Sequence, residues 1–193
     1  MGRVLHNYIR DWKRGIDVAE KIKQIMRAKL FWVVFLLLVL SLLLHFFVGS
    51  MIVVQGESME TTLEDGAIVL IEKVSYRSKE PRRNDIVVVT SASKEQYIKR
   101  IIGLPGETVR IRKGNVFIDG KKMQECMEFE EIVDGGMARE KIVLGEDEYF
   151  LLGDNRNHSK DSRNPELGIV NQSQFDGKVF WQIYPFDKMG NVD

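Results

Sequence analysis

One cysteine, Cys126, stands in the 193 residues, so the chain can form no internal disulfide. Outside a membrane that residue is either a free thiol or an incidental small side chain. Histidine is almost as scarce. His6, His45 and His158 offer no zinc-ligand spacing, so neither a metal nor another cofactor is expected. Lys and Arg together number 28 and so do Asp and Glu, which excludes a uniformly basic surface for nucleic acid. Charge is also missing locally, because Leu30 to Val48 contains no Asp, Glu, Lys or Arg.

That uncharged run is rich in Leu, Val and Phe, and at about 1.5 Å per residue it reaches roughly 28 Å as a helix. This is enough to cross a bilayer once. A cleaved signal peptide would have a shorter apolar core, a brief charged start and a small-residue cleavage site. Here 29 residues precede the core and no A-x-A pattern follows it, so an uncleaved transmembrane anchor over 30–50 is expected. A buried soluble helix is the other reading. Ser41 and His45, inside the run, read as tolerated near a helix end or hydrogen-bonded internally.

Residues 1–29 carry Arg3, Arg10, Lys13, Arg14, Lys21, Lys23, Arg27 and Lys29 against only Asp11, Asp17 and Glu20. The positive flank predicts a cytoplasmic N-terminus, a single pass through the cell membrane, and residues 51–193 on the outer face. Within this arm Ile9, Trp12, Ile16, Ala19, Ile22 and Met26 recur at intervals of three and four, one apolar stripe of a helix. Two readings stay open: a helix lying on anionic membrane lipid, or a flexible arm whose charges only set topology. Acids interrupt the bases and no stacking pattern accompanies them, which argues against nucleic acid as a partner.

The external segment predicts a mainly β fold, a twisted and largely antiparallel domain behind the single N-terminal helix. Val69–Ile71, Asp85–Val89, Tyr97–Ile102, Thr108–Ile111, Val116–Ile118 and Glu148–Leu152 are short, β-branched or aromatic runs between turn residues. Lys113-Gly114-Asn115 and Asp119-Gly120 read as hairpin turns. The stretch of about 121–147, with Glu125, Glu128, Glu130, Glu131 and Asp134 scattered through it, reads as a solvated loop or small insertion without a chemical role.

Two short motifs carry chemistry. Ser58 lies in Gly56-Glu57-Ser58-Met59-Glu60-Thr61-Thr62-Leu63, and Lys99 in Tyr97-Ile98-Lys99-Arg100-Ile101-Ile102-Gly103-Leu104-Pro105-Gly106. A serine hydroxyl becomes a nucleophile when a nearby base takes its proton, and a lysine becomes that base when desolvation keeps it neutral. Strand alternation puts Tyr97, Lys99 and Ile101 on one face and Ile98, Arg100 and Ile102 on the other. If Lys99 faces the interior, Arg100 is expected to reach solvent. A third motif, Gly153-Asp154-Asn155-Arg156-Asn157-His158-Ser159-Lys160-Asp161-Ser162-Arg163, is a polar loop with the hydrogen-bonding capacity to buttress a site. His158 with Asp161 is the rival base for Ser58.

Together the three motifs resemble those of bacterial type I signal peptidases, membrane-bound serine endopeptidases that remove signal peptides from exported preproteins. Ser58, Met59, Thr62 and Leu63 match that family's Ser-Met-x-Pro-Thr-Leu segment. Lys99, Arg100, Gly103, Pro105 and Gly106 match its Lys-Arg-x-x-Gly-x-Pro-Gly segment, and the third motif matches in full. Asp85-Ile86-Val87 resembles a further family strand. The resemblance implies Ser58 as nucleophile, Lys99 as general base, and the Ser58 amide as an oxyanion donor. It also implies that Ser159 orients the Lys99 amine and that Asp161 and Arg163 hold the loop as a charge pair. Val54, Met59, Leu63, Tyr97 and Ile98 would line shallow pockets for small residues of an extended signal peptide, and a monomer is expected. Three positions depart from the pattern or are unusual in it. Thr61 replaces the proline, Gly56 replaces the serine of Gram-negative relatives, and Glu57 adds a charge that would oppose catalysis if it approached Lys99. A catalytically silent, membrane-anchored peptide-binding homologue is the alternative reading.

Overall fold

The computed structural model describes residues 23–42, 50–73, 76 and 80–192. The chain divides into two units, Met1–Phe46 and Phe47–Asp193. The first contains helix α1, Lys23–Leu42, which is long and apolar enough to cross a membrane. Phe31, Trp32, Phe35 and Leu36 are exposed along it. The basic residues Lys23, Arg27 and Lys29 therefore belong to the same helix as the apolar run. The remainder of the predicted stripe, Ile9 to Ile22, and the end of the predicted span lie outside the described residues.

Among the described residues the second unit has twelve strands: β1 Met51–Val53, β2 Ile68–Glu72, β3 Ile86–Thr90, β4 Gln96–Gly103, β5 Thr108–Arg112, β6 Asn115–Ile118, β7 Lys121–Lys122, β8 Ile142–Val143, β9 Glu148–Leu152, β10 Val170–Asn171, β11 Phe175–Tyr184 and β12 Gly190–Asn191. The larger sheet runs β1-β2-β11-β3-β4-β9-β10, with β12 added to β11, and the smaller runs β7-β6-β5-β8. Every pairing is antiparallel. Both expected hairpins form. Lys113 and Gly114, and then Asp119 and Gly120, all adopt positive φ, as a two-residue turn matched to the strand twist requires.

The longest strand, β11, has no counterpart in the sequence reading, although it lies between β2 and β3. Its alternation is broken by register shifts between Phe175 and Gly177, Val179 and Trp181, and Gln182 and Tyr184. Gly177 sits at one of them, where a Cβ would fall 2.6 Å from the Glu72 carbonyl oxygen. A periodic pattern cannot survive three bulges.

The 121–147 stretch differs from the solvated loop expected. Met123, Ile132, Ala138 and Leu144 are buried, and they join Ile102, Val109, Phe150 and Leu152 in one apolar cluster. Acidic neighbours hide these widely spaced anchors in the sequence. A second cluster, with Val54, Met59, Leu63, Val69, Ile86 and Val179, lies beneath the Ser58 turn.

Candidate active site

Ser58 lies on a compact turn rather than a strand. Glu60 N donates to the Glu57 carbonyl at 3.0 Å, and Leu63 N to the Met59 carbonyl at 2.8 Å. Met59 and Leu63 anchor the turn, at 1% and 0% exposure. Lys99 comes from β4, whose upper part, Gln96–Lys99, pairs with β3 on one side, while β9 joins the other side only from Arg100 onward. Lys99 Nζ lies 2.7 Å from Ser58 Oγ and donates to the Ile98 carbonyl at 2.8 Å. The Tyr97 ring centroid is 5.6 Å from Nζ. Burial removes water from the ammonium and lowers its pKa from 10.5 to about 8, against the opposing pull of the Asp161 and Asp154 charges. Glu57 is exposed and is not among the charges acting on Lys99.

A buried lysine close enough to take a serine proton, on a β fold carrying three ordered motifs, is the arrangement against which known proteins can be compared. The family model described as "Signal peptidase, peptidase S26" matches residues 27–184. The chain belongs to this family. The signal peptidase I of Bacillus licheniformis is 33% identical over 172 residues, which cover 84% of this chain and 92% of that one. The signal peptidase I of Bacillus caldolyticus is 37% identical over 154 residues, 74% of this chain and 84% of its own. Among solved structures, a signal peptidase I from Enterococcus faecalis shares 33% identity, covers 52% of this chain and 97% of its own, and superposes with a TM-score of 0.44.

In this S26 peptidase the third motif clasps the Ser58 turn. Asn155 donates from its backbone N to the Ser58 carbonyl and from Nδ2 to the Glu57 carbonyl, both at 3.1 Å. Gly153 must be glycine, because a Cβ there would collide with the Ser58 carbonyl and the Ser159 side chain. Asp161 receives Arg163 Nε at 2.8 Å and Nη2 at 2.7 Å, and its Oδ2 also accepts Gly153 N at 3.1 Å. One carboxylate thus sets the loop's path.

Three expectations need correction. Arg100 does not reach solvent: it is 0% exposed, because Ile98 and Ile102, on its own face of β4, are packed into the two apolar clusters. Asp154 makes that burial tolerable, accepting Nε at 2.8 Å and Nη2 at 2.7 Å, while Asn84 supplies a carbonyl at 2.9 Å. Burial alone would lower the pKa of Arg100, but the Asp154 hydrogen bonds and charge reverse the direction. Second, Ser159 does not hydrogen-bond Lys99, since its Oγ is buried without a partner against Gly153. Third, Leu63 does not line the groove. The turn carries it past the opening into the cluster below.

The groove itself encloses about 680 Å³ and is lined by residues 51–59, Val88, Gln96, Tyr97, Ile98, Lys99, His158 and Lys160. Val54, Met59, Tyr97 and Ile98 are therefore at its wall, together with Val88 and Gln96, which sequence reasoning missed. Register could have found Val88, because it pairs directly with Ile98. Thr62 is a further link that the sequence does not announce. Its Oγ1 donates to Asp154 Oδ2 at 2.6 Å and so ties the Ser58 turn to the Arg100 pair. Among the described residues no His, Cys, Asp or Glu group could hold a metal ion.

Proposed function

We propose that this chain is a membrane-anchored serine endopeptidase that cleaves signal peptides from exported preproteins, with Ser58 as nucleophile and Lys99 as general base. The observation that carries the reading is the 2.7 Å approach of a buried lysine amine to a serine hydroxyl in the wall of a peptide-sized groove. With Lys99 neutral, Ser58 O–H donates its proton to Nζ as Oγ attacks the scissile carbonyl. The lysine, held by the Ile98 carbonyl, then passes that proton to the leaving amine, and water repeats the cycle on the acyl-enzyme. The Ser58 amide N–H is the candidate oxyanion donor. Asp161 and Arg163 act through position, by holding the loop that carries Asn155 against Ser58.

Location at the cell membrane, with a single pass, a cytoplasmic N-terminus and the β unit on the outer face, rests on α1 and its basic flank. A second feature supports lipid as a partner. Met51, Leu70 and Trp181 are cross-strand neighbours on β1, β2 and β11, as are Val53, Ile68 and Tyr184. Met51, Val53, Trp181, Tyr184 and the adjacent Phe186 are 40–73% exposed, an aromatic-rich apolar face on which β1, the first strand after the span in sequence, lies across β2 from the end of β11. The test is cleavage of a preprotein bearing an Ala-x-Ala signal peptide by the detergent-solubilised full chain. Cleavage after the last Ala, lost in Ser58→Ala and Lys99→Ala but kept in His158→Ala, is the expected result. Loss in His158→Ala with retention in Lys99→Ala would replace the reading with a His-based mechanism.

A further inference from the structure

A peptide lying across Ser58 must continue past it, beyond the groove described above. A second groove, of about 840 Å³, opens on the far side of His158. His158 lines both. Ser159, in the wall of the second, packs with the Ser58 carbonyl against the same point of Gly153, so the second groove begins beside the nucleophile. We propose that this second groove binds the substrate residues that follow the scissile bond, the segment released as the new N-terminus. The inference deepens the Ser58–Lys99 reading and rests on it.

The lining chemistry fits a peptide chain. Its charges are already matched: Arg156 pairs with Glu125, Arg163 with Asp161, and Asp134 with Arg139. An ionic ligand would have to compete with those partners. Two apolar side chains are left open instead, Val133 at 86% and Met137 at 39% exposure. Hydrogen-bonding capacity is also left over. Of four buried side-chain atoms without a partner among the described residues, Arg156 Nε and Ser159 Oγ belong to this wall. Both can donate, and a peptide offers a carbonyl at every residue. A floor whose charges are paired internally, with apolar contacts and spare donors, reads an extended main chain and an apolar side chain, with little demand on sequence.

The 121–147 segment acquires a purpose from this placement. Val133 N donates to Asn157 Oδ1 at 3.0 Å, Met137 N to the Arg163 carbonyl at 3.1 Å, and Arg156 lies 3.9 Å above the Phe129 ring. The segment is thereby held as the opposite bank of the groove, facing the loop that clasps Ser58.

The test uses the full chain in detergent with two substrates of identical signal sequence, one ending one residue after the cut and one with a long extension beyond it. The wild type is expected to favour the extended substrate in kcat/KM. Val133→Asp and Met137→Asp are each expected to reduce that preference by about tenfold, through KM, while cleaving the short substrate at the wild-type rate. Val133 is largely exposed, so its replacement makes little demand on folding. An unchanged preference in both variants overturns the proposal, and so does an equal loss on both substrates. Failure of the folded wild type to cleave either substrate overturns the Ser58–Lys99 reading itself, and the groove's role with it.

Discussion

Lys99 and Arg100 are adjacent residues on one strand, both are almost completely buried, and they resolve the same electrostatic problem in opposite ways. A cation removed from water must either lose its proton or gain a counter-charge. Arg100 cannot lose its proton, and Asp154 meets its guanidinium with two hydrogen bonds inside 3 Å. Lys99 has no carboxylate in contact. Asp161 and Asp154 act on it only at a distance, and its pKa falls to about 8. The two faces of β4 thus separate a permanent structural charge from a removable one, and only the removable one can serve as a base.

Breaking the reactive face should have the largest effect. Lys99→Ala and Ser58→Ala are expected to lower the cleavage rate by about 10⁴-fold or more, measured on a preprotein under single-turnover conditions. Lys99→Met should sharpen the comparison, because it removes activity and stabilises the fold. Unfolding restores the ordinary lysine pKa, so between about 8 and 10.5 the unfolded chain binds more protons and wild-type stability rises with pH. The gain from Lys99→Met should therefore be full below pH 8, at about 3 kcal/mol, and vanish above 10.5. Urea unfolding at several pH values reads it directly.

On the structural face the sign reverses. Asp154→Ala leaves a buried arginine without its partner and should cost about 3–5 kcal/mol in the same assay. A smaller loss, about 1–2 kcal/mol, is expected for Thr62→Val, which removes the hydrogen bond from the Ser58 turn to Asp154. Its activity should fall further than its stability, because the turn carries Ser58, the proposed nucleophile. The smallest effect concerns Thr61, which adopts φ +97°, a region hostile to β-branched residues. Thr61→Gly should stabilise the chain by about 1 kcal/mol, and Thr61→Pro should destabilise it, since proline cannot adopt that φ.

The same contrast shows how much the sequence disclosed. Ser58 and Lys99 were legible because each sits in a dense motif, and six strands were legible from β-branched runs between turns. At Thr61 the sequence shows only that the family's proline is replaced. In the structure its φ has the sign that proline excludes, which a motif comparison cannot register. Arg100 was misplaced because alternation tells which residues share a face and not whether that face is covered. Two apolar neighbours, Ile98 and Ile102, were the available signal that it is. Strand β11 was lost to its bulges, and the 121–147 bank to anchors spaced too widely for any period. Ser159 was assigned by resemblance to a contact with Lys99 that it does not make here.

The central claim is that burial makes Lys99 the base, and the pH dependence of kcat/KM for preprotein cleavage tests it most directly, with His158→Ala run in parallel. The account predicts an acid limb at about pH 8, unmoved in His158→Ala, because protonated Lys99 cannot accept the Ser58 proton. An acid limb near pH 6.5 that disappears in His158→Ala would contradict it and give the role to histidine.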